Sequence, residues 1–248
     1  MSQLVLITGG SRGIGAATAL LAARRGYAVA VNYTANSLAA DEVVRQIRQA
    51  GGQAMAVQAD VADEAQVVSM FEKIDAKFGR LTALVNNAGV VDQTVRIEAI
   101  ALARLQRMFA VNVFGSFLCA REAVRRMSTR HGGAGGAIVN VSSAASRLGS
   151  PGQYVDYAAA KGAVDTFTIG LAKEVATEGI RVNAVRPGII DTDIHASGGL
   201  PHRARDVAPQ VPMQRPGSAE EVAKAIVWLL SDQASYTTGA LLDVTGGR

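Results

Sequence analysis

The 248 residues carry 25 basic and 21 acidic side chains, a net charge of +4 with no long run of one sign, which excludes the basic footprint of a nucleic-acid binder. Hydrophobic residues make up 49% of the chain, enough for a sizeable core, yet no apolar stretch approaches the roughly 20 residues of a membrane span. One cysteine, Cys119, excludes an internal disulfide and any cysteine-rich metal site.

Taken in order, apolar runs alternate with helical patterns. Residues 3–8 read as a buried strand that ends in the turn Gly9-Gly10, and 14–25 as a helix. A second strand covers 27–33. Residues 37–50 are helical, with Ser37 as the expected N-cap and Gly51-Gly52 as the stop. A strand follows at 53–59, then a helix over 63–78 opened by Asp63 and closed by Gly79. Residues 81–86 form a fourth strand, 96–130 two helical segments, and 137–142 a fifth strand. A long helix spans 153–178, a sixth strand 180–186, a helix 219–230 and a last strand 240–244. Cys119 lies in the apolar run 113–120 and is expected to be a buried, inert thiol. The densest basic cluster, Arg121, Arg125, Arg126 and Arg130, reads as the solvated face of a helix.

Most strands are continuous apolar runs, the pattern of strands buried on both faces of a parallel sheet. With no linker and no repeat, residues 1–248 read as one α/β domain, doubly wound, with helices on both faces. The long irregular stretch 187–217 reads as a substrate lid. His131, His195 and His202 lack metal-ligand spacing, and no metal is expected. The opening MSQLVLITGG lacks the basic region of a signal peptide, so a cytoplasmic protein is expected.

Several groups of residues carry chemistry. Gly9, Ser11, Arg12, Gly13, Ile14 and Gly15 form a glycine-rich turn between strand and helix, suited to an anion at a helix N-terminus. The second strand ends in Asn32-Tyr33-Thr34, with no acid to accept from a ribose 2′-hydroxyl, and Arg12 would reach a 2′-phosphate from the glycine turn. Both features favour NADP(H), with NAD(H) as the alternative. Asp60 and Val61 end the third strand, where the carboxylate suits either an adenine amino group or a turn. Asn86-Asn87-Ala88-Gly89 ends the fourth and suits either a cofactor or a turn. In Tyr157-Ala-Ala-Ala-Lys161 a phenol and an ammonium share one helix face, a turn apart. The ammonium would favour the phenolate, although the same pattern also describes a solvated pair.

The glycine turn, Asn86-Asn87-Ala88-Gly89, Ser142-Ser143, Tyr157-x-x-x-Lys161, Arg186-Pro187-Gly188, Thr238-Gly239 and Thr245-Gly246-Gly247 stand in one order. Together they resemble the short-chain dehydrogenase/reductase family over essentially the whole chain. That resemblance implies a Rossmann-type, mainly seven-stranded parallel sheet and an oxidoreductase that moves a hydride between a nicotinamide and a carbonyl or alcohol. It implies that Tyr157 is the acid/base, that Lys161 lowers its pKa and binds the nicotinamide ribose, that Ser143 holds the substrate oxygen, and that Asn112 positions a water. Pro187, Gly188, Ile190 and Thr192 would pass the nicotinamide. It also implies a homotetramer or homodimer, with apolar helix faces at 113–120 and 167–171. Ser143 lies fourteen residues before Tyr157, one more than the family's usual spacing, which keeps Ser142 as the alternative.

Among its members the chain most resembles 3-oxoacyl-acyl-carrier-protein reductases and glucose 1-dehydrogenase-like sugar dehydrogenases. Arg130 fits a basic site mouth for an acidic carrier, whereas Glu178 reverses the charge expected there. His195 and His202 fall in the expected lid. The alternative of another class is a non-catalytic, regulatory NADP-binding protein of the same fold.

Overall fold

The alternating apolar runs become the strands of one sheet. In the computed structural model, which describes residues 3–194 and 198–248, these are β1 (Leu4–Ile7), β2 (Ala28–Tyr33), β3 (Ala54–Gln58), β4 (Ala83–Asn86), β5 (Gly136–Val141), β6 (Ile180–Pro187) and β7 (Leu241–Val244). All pairings are parallel, in the order β3-β2-β1-β4-β5-β6-β7. Chain order reverses at the β1–β4 pair, so the crevice beyond the C-terminal ends of those strands is where such a sheet receives a ligand.

Successive strand residues face opposite ways, and both faces are covered. Val5 and Ile7 join Val29, Val31 and Val85 beneath α1 (Gly13–Arg24), α2 (Ser37–Gln49) and the helix Ala219–Leu230. Leu4 and Leu6 join Leu84 and Ile138 on the other face, beneath α3 (Glu64–Phe78) and the helices Gly115–Met127 and Val155–Val175. Cys119 lies in this second layer, where burial pushes its thiol up to about 12.

Helix ends follow local chemistry. Asp63 accepts from the Gln66 amide at 3.1 Å and opens α3, as expected. Before α2, however, Asn36 is the cap, accepting from the Ala39 amide at 3.0 Å in place of Ser37. Both residue types cap well, and the backbone chose the earlier one. The two segments expected at 96–130 are α4 (Leu102–Phe109) and α5 (Gly115–Met127), joined by one π-helical turn, Ala110–Phe114. The short α6 (Ala145–Leu148) precedes α7 (Val155–Val175).

The described residues of the segment 187–217 are not all irregular. They include α8 (Arg203–Val207), and an Ile190–Gly217 bridge ties the segment's two ends together. His195 lies outside the described residues, and His202 is the exposed N-cap of α8. α9 (Ala219–Leu230) then starts on a capping box between Ser218 and Glu221. Among the described residues, no helix is long and apolar enough to cross a membrane.

Phe71 is fully buried under the sheet, with the Arg126 guanidinium 4.9 Å from its ring centroid. Phe71→Ala is expected to cost about 3–5 kcal/mol. Urea unfolding should show a lower midpoint at unchanged slope, and an unmoved midpoint would contradict this packing.

Candidate active site

Two turns at the C-terminal ends of β1 and β4 hold one another. Asn87 Nδ2 donates to the carbonyls of Thr8 and Gly9, each at 2.9 Å. Thr8 Oγ1 accepts from the amides of Asn87 and Ala88, each at 3.0 Å. The first turn needs glycine for two reasons. Gly9 and Gly13 have φ of +59° and +53°, in the left-handed region. A Cβ on Gly15 would lie 2.4 Å from the Gly9 oxygen, so only glycine lets α1 start this close. No side chain caps α1, which leaves its N-terminus as an anion site.

Ser11, Arg12, Gly13, Ile14, Tyr33, Asp60, Val61, Ala88 and Gly89 line a cleft of about 510 Å3 beyond these turns. Asn32, expected among the cofactor contacts, is buried and turned away from it. Its Oδ1 accepts from the Gly9 amide at 3.1 Å, and its Nδ2 donates to the Ala59 and Val57 carbonyls at 3.0 and 3.3 Å. It fastens the glycine turn to the ends of β2 and β3. Gly15 likewise shapes the cleft without lining it.

Tyr157 and Lys161 stand a turn apart on α7, as their spacing requires. Lys161 Nζ donates to the Val141 carbonyl at 2.7 Å and sits 5.6 Å from the centroid of the Tyr157 ring. Burial lowers Lys161 to about 8, against the pull of the nearby Asp165 carboxylate. Burial also pushes the Tyr157 phenol up to about 12, and a hydrogen bond with Ser143 offsets part of that rise. The expected depression of the phenol by the lysine is therefore not found. The ammonium meets a carbonyl and the ring's face, and burial sets the phenol's direction.

The two serines separate cleanly. Ser142 Oγ donates to the Lys161 carbonyl at 3.2 Å and braces α7. Ser143 accepts from the Ala145 amide at 3.1 Å and is the serine whose side chain lowers the Tyr157 phenol. The extra length before Tyr157 is taken up by a turn in which Gly149, Ser150 and Gly152 have positive φ.

Asn112 is fully buried in the π-helical turn. Its Oδ1 accepts from the Val90 amide at 3.2 Å, and its Nδ2 donates to the Val90 and Met108 carbonyls, each at 3.0 Å. A Cβ on Gly89 would lie 2.8 Å from Asn112 Oδ1 and 3.6 Å from Lys161 Nζ. Asn112 thus stands behind Lys161 without lining a cavity.

Ser143, Tyr157, Lys161, Pro187, Gly188, Ile190 and Thr192 line a second cavity of about 440 Å3. The two cavities share Ile14, Asn87, Gly89, Val91, Thr192 and Ile194, so they form one crevice. Sequence reasoning missed Leu148, Gln153 and Arg203 in the second cavity. They sit on two short helices and in a loop, where no periodicity marks an inward face. Arg130 is the clearest correction. It pairs with Glu178 at 3.3 Å, before the starts of β5 and β6, whereas the crevice lies beyond the strands' C-terminal ends. Within this chain it is not at the site mouth.

A glycine-rich turn, a Tyr–Lys pair and a serine thus meet at one edge of a doubly wound sheet, and the comparisons make the chain an oxidoreductase. The chain belongs to the short-chain dehydrogenase/reductase family. A family model described as enoyl-(acyl carrier protein) reductase matches residues 9–248. The chain is 61% identical to the uncharacterized oxidoreductase YgfF of Escherichia coli strain K12 over 245 residues, 99% of each chain. It is 41% identical to a 3-oxoacyl-acyl-carrier-protein reductase of Synechocystis over 247 residues, 99% of this chain and 96% of that one. A Serratia marcescens short-chain dehydrogenase/reductase double mutant superposes with a TM-score of 0.91 at 35% identity, covering 100% of this chain and 98% of the other.

The buried lysine makes stability pH-dependent. With Lys161 held near 8 in the fold, the unfolded chain binds the extra proton from about pH 8 up to its ordinary value, so stability rises across that window. Tyr157, held near 12, acts in the opposite sense once pH exceeds the phenol's ordinary value of about 10. Between pH 8 and 10 the wild type should gain on the order of 2 kcal/mol relative to Lys161→Met, read from urea midpoints. A pH-independent difference would contradict the burial of this charge.

Proposed function

We propose that the chain is an NADP(H)-dependent carbonyl reductase that also oxidises the corresponding alcohol. The carrying observation is the continuous crevice, with the glycine turn and Arg12 in one lobe and Ser143, Tyr157 and Lys161 in the other. The cradle fits a dinucleotide because its glycines leave room where side chains would stand. Gly9, Ser11, Gly13 and Ile14 would hold the pyrophosphate. Arg12 and Tyr33 would meet the 2′-phosphate, Asp60 and Val61 the adenine, and Ala88, Gly89 and Lys161 the nicotinamide ribose. Pro187, Gly188, Ile190 and Thr192 would face the carboxamide. The bound nicotinamide supplies or accepts the hydride.

The chain's own groups handle the proton and the developing charge. A phenol held near 12 stays protonated at neutral pH, which sets Tyr157 to donate to a carbonyl oxygen as that oxygen gains charge. Ser143 lines the same cavity as the phenol and acts on its titration, and its hydroxyl would donate to that oxygen too. Lys161, buried behind the ring, favours the phenolate left after transfer. Asn112 fixes the 89–90 backbone beside Lys161 and would orient a water for reprotonation. The setting is expected to be cytoplasmic, and the substrate a small carbonyl compound.

The test is turnover of a ketone and aldehyde panel with NADPH and NADH. Tyr157→Phe should lower kcat by roughly 10²–10⁴-fold. Arg12→Ala should raise KM for NADPH about tenfold and move NADH little. An unchanged rate in Tyr157→Phe refutes the acid. NADPH binding without turnover of any compound would mark a non-catalytic binder instead.

We further propose a homotetramer or homodimer built on the α4–α5 and α7 face. Phe114 and Phe117 are 57% and 46% exposed there, and Phe117 stacks on Phe167 at 3.8 Å. Sedimentation should show an oligomer that Phe114→Glu with Phe117→Glu dissociates, and a monomeric wild type would refute it.

A further inference from the structure

The cavity in front of Ser143 and Tyr157 is electrostatically one-sided. No Asp or Glu is among the described residues that line it, whereas Lys161, Arg203 and Arg248 all do. Lys161 is engaged with the Val141 carbonyl at the catalytic end. Arg248 presents its main-chain oxygen there as well as its guanidinium, and that oxygen accepts a bond from Arg147. Arg203 is different. It is the first residue of α8, half-buried, and its guanidinium donates to Gln153 Oε1 at 2.6 Å. The same guanidinium lies 5.2 Å from the centroid of the Tyr154 ring. Tyr154 is itself fixed, buried, and accepts from Thr94 Oγ1 at 3.2 Å.

A guanidinium has five N–H donors in a flat fork, and the bond to Gln153 uses one. The Gln153 bond and the Tyr154 ring hold the head in place, and four donors remain. No carboxylate among the described residues pairs with it. Gln153 and Tyr154 directly precede α7, so Tyr154 is one turn, ~5 Å along the axis, from Tyr157. Leu148, Pro151 and Val91 line the same cavity as apolar walls.

We propose that Arg203 receives a carboxylate of the substrate, making the substrate an oxo acid, or its hydroxy acid, with a short apolar spacer between carboxylate and reacting carbon. A fork of two donors matches two carboxylate oxygens, and the acid-free cavity attracts an anion. The inference rests on the reading of Tyr157 as the acid that serves a carbonyl.

Two measurements test it. The first compares kcat/KM for 5-oxohexanoate and for its neutral amide with NADPH, in wild type and in Arg203→Met. The acid should be preferred roughly ten- to hundredfold, mainly through KM, and Arg203→Met should erase that preference while Arg203→Lys keeps part of it. The second is calorimetric binding of hexanoate against hexanamide to the NADPH-loaded protein, which needs no turnover and no variant. Hexanoate should bind at least about tenfold tighter. Equal binding of the two, or equal weakening of both by Arg203→Met, overturns the proposal. Equal turnover of acid and amide overturns it while leaving carbonyl reduction standing. Hexanoate bound through Arg203 without turnover of any carbonyl supports the carboxylate site and overturns the reading of Tyr157.

Discussion

The clamp between the Thr8 and Asn87 turns is the constraint on which the site depends. Parallel strands all end on one edge, but ending there does not bring two loops into register. Asn87 spans two carbonyls of the first turn, and Thr8 gathers two amides of the second. Glycine makes the approach steric as well as polar, because a Cβ at Gly9 would lie 3.0 Å from the Ala88 Cα. Asn32 then ties this pair to the ends of β2 and β3. The floor of the crevice is thus made of satisfied, buried polar groups, which are costly to disturb.

On that floor the second lobe is built around a buried cation. Lys161 gives up water and receives the Val141 carbonyl and the field of Asp165 in return. Asp165 is in turn held by Arg186 at 3.0 Å. The chain of charges runs inward from the sheet edge to the phenol, and the phenol itself stays neutral. Burial dominates both titrations, lowering the lysine and raising the tyrosine, so the two values cross and draw apart. Proton transfer then waits for charge to develop on a bound oxygen.

Much of this was legible in the chain. Continuous apolar runs announced a parallel sheet, because strands covered on both faces have no polar side to show. Tyr157 and Lys161 shared a helix face by spacing alone, and the glycine turn stood where βα geometry puts anions. Other features were not legible. Asn36 and Ser37 are both good caps, and backbone geometry decided between them. Asn32 looked like a ligand residue because its place at a strand end was known and its direction was not. Arg130 looked like a mouth residue on its charge alone, whereas a loop that precedes a parallel strand lies on the edge opposite the crevice.

The sequence alone determined the order of elements, the seven parallel strands, the phenol and ammonium on one helix face and the glycine turn. Those follow from periodicity and from residue chemistry, which are local. Tertiary structure decided which serine faces the phenol, that the lysine meets a carbonyl, and that Arg203 enters the substrate cavity. These are matters of direction and desolvation. Both are set by what packs from distant parts of the chain, as when α8 lays a guanidinium over a ring 49 residues before it.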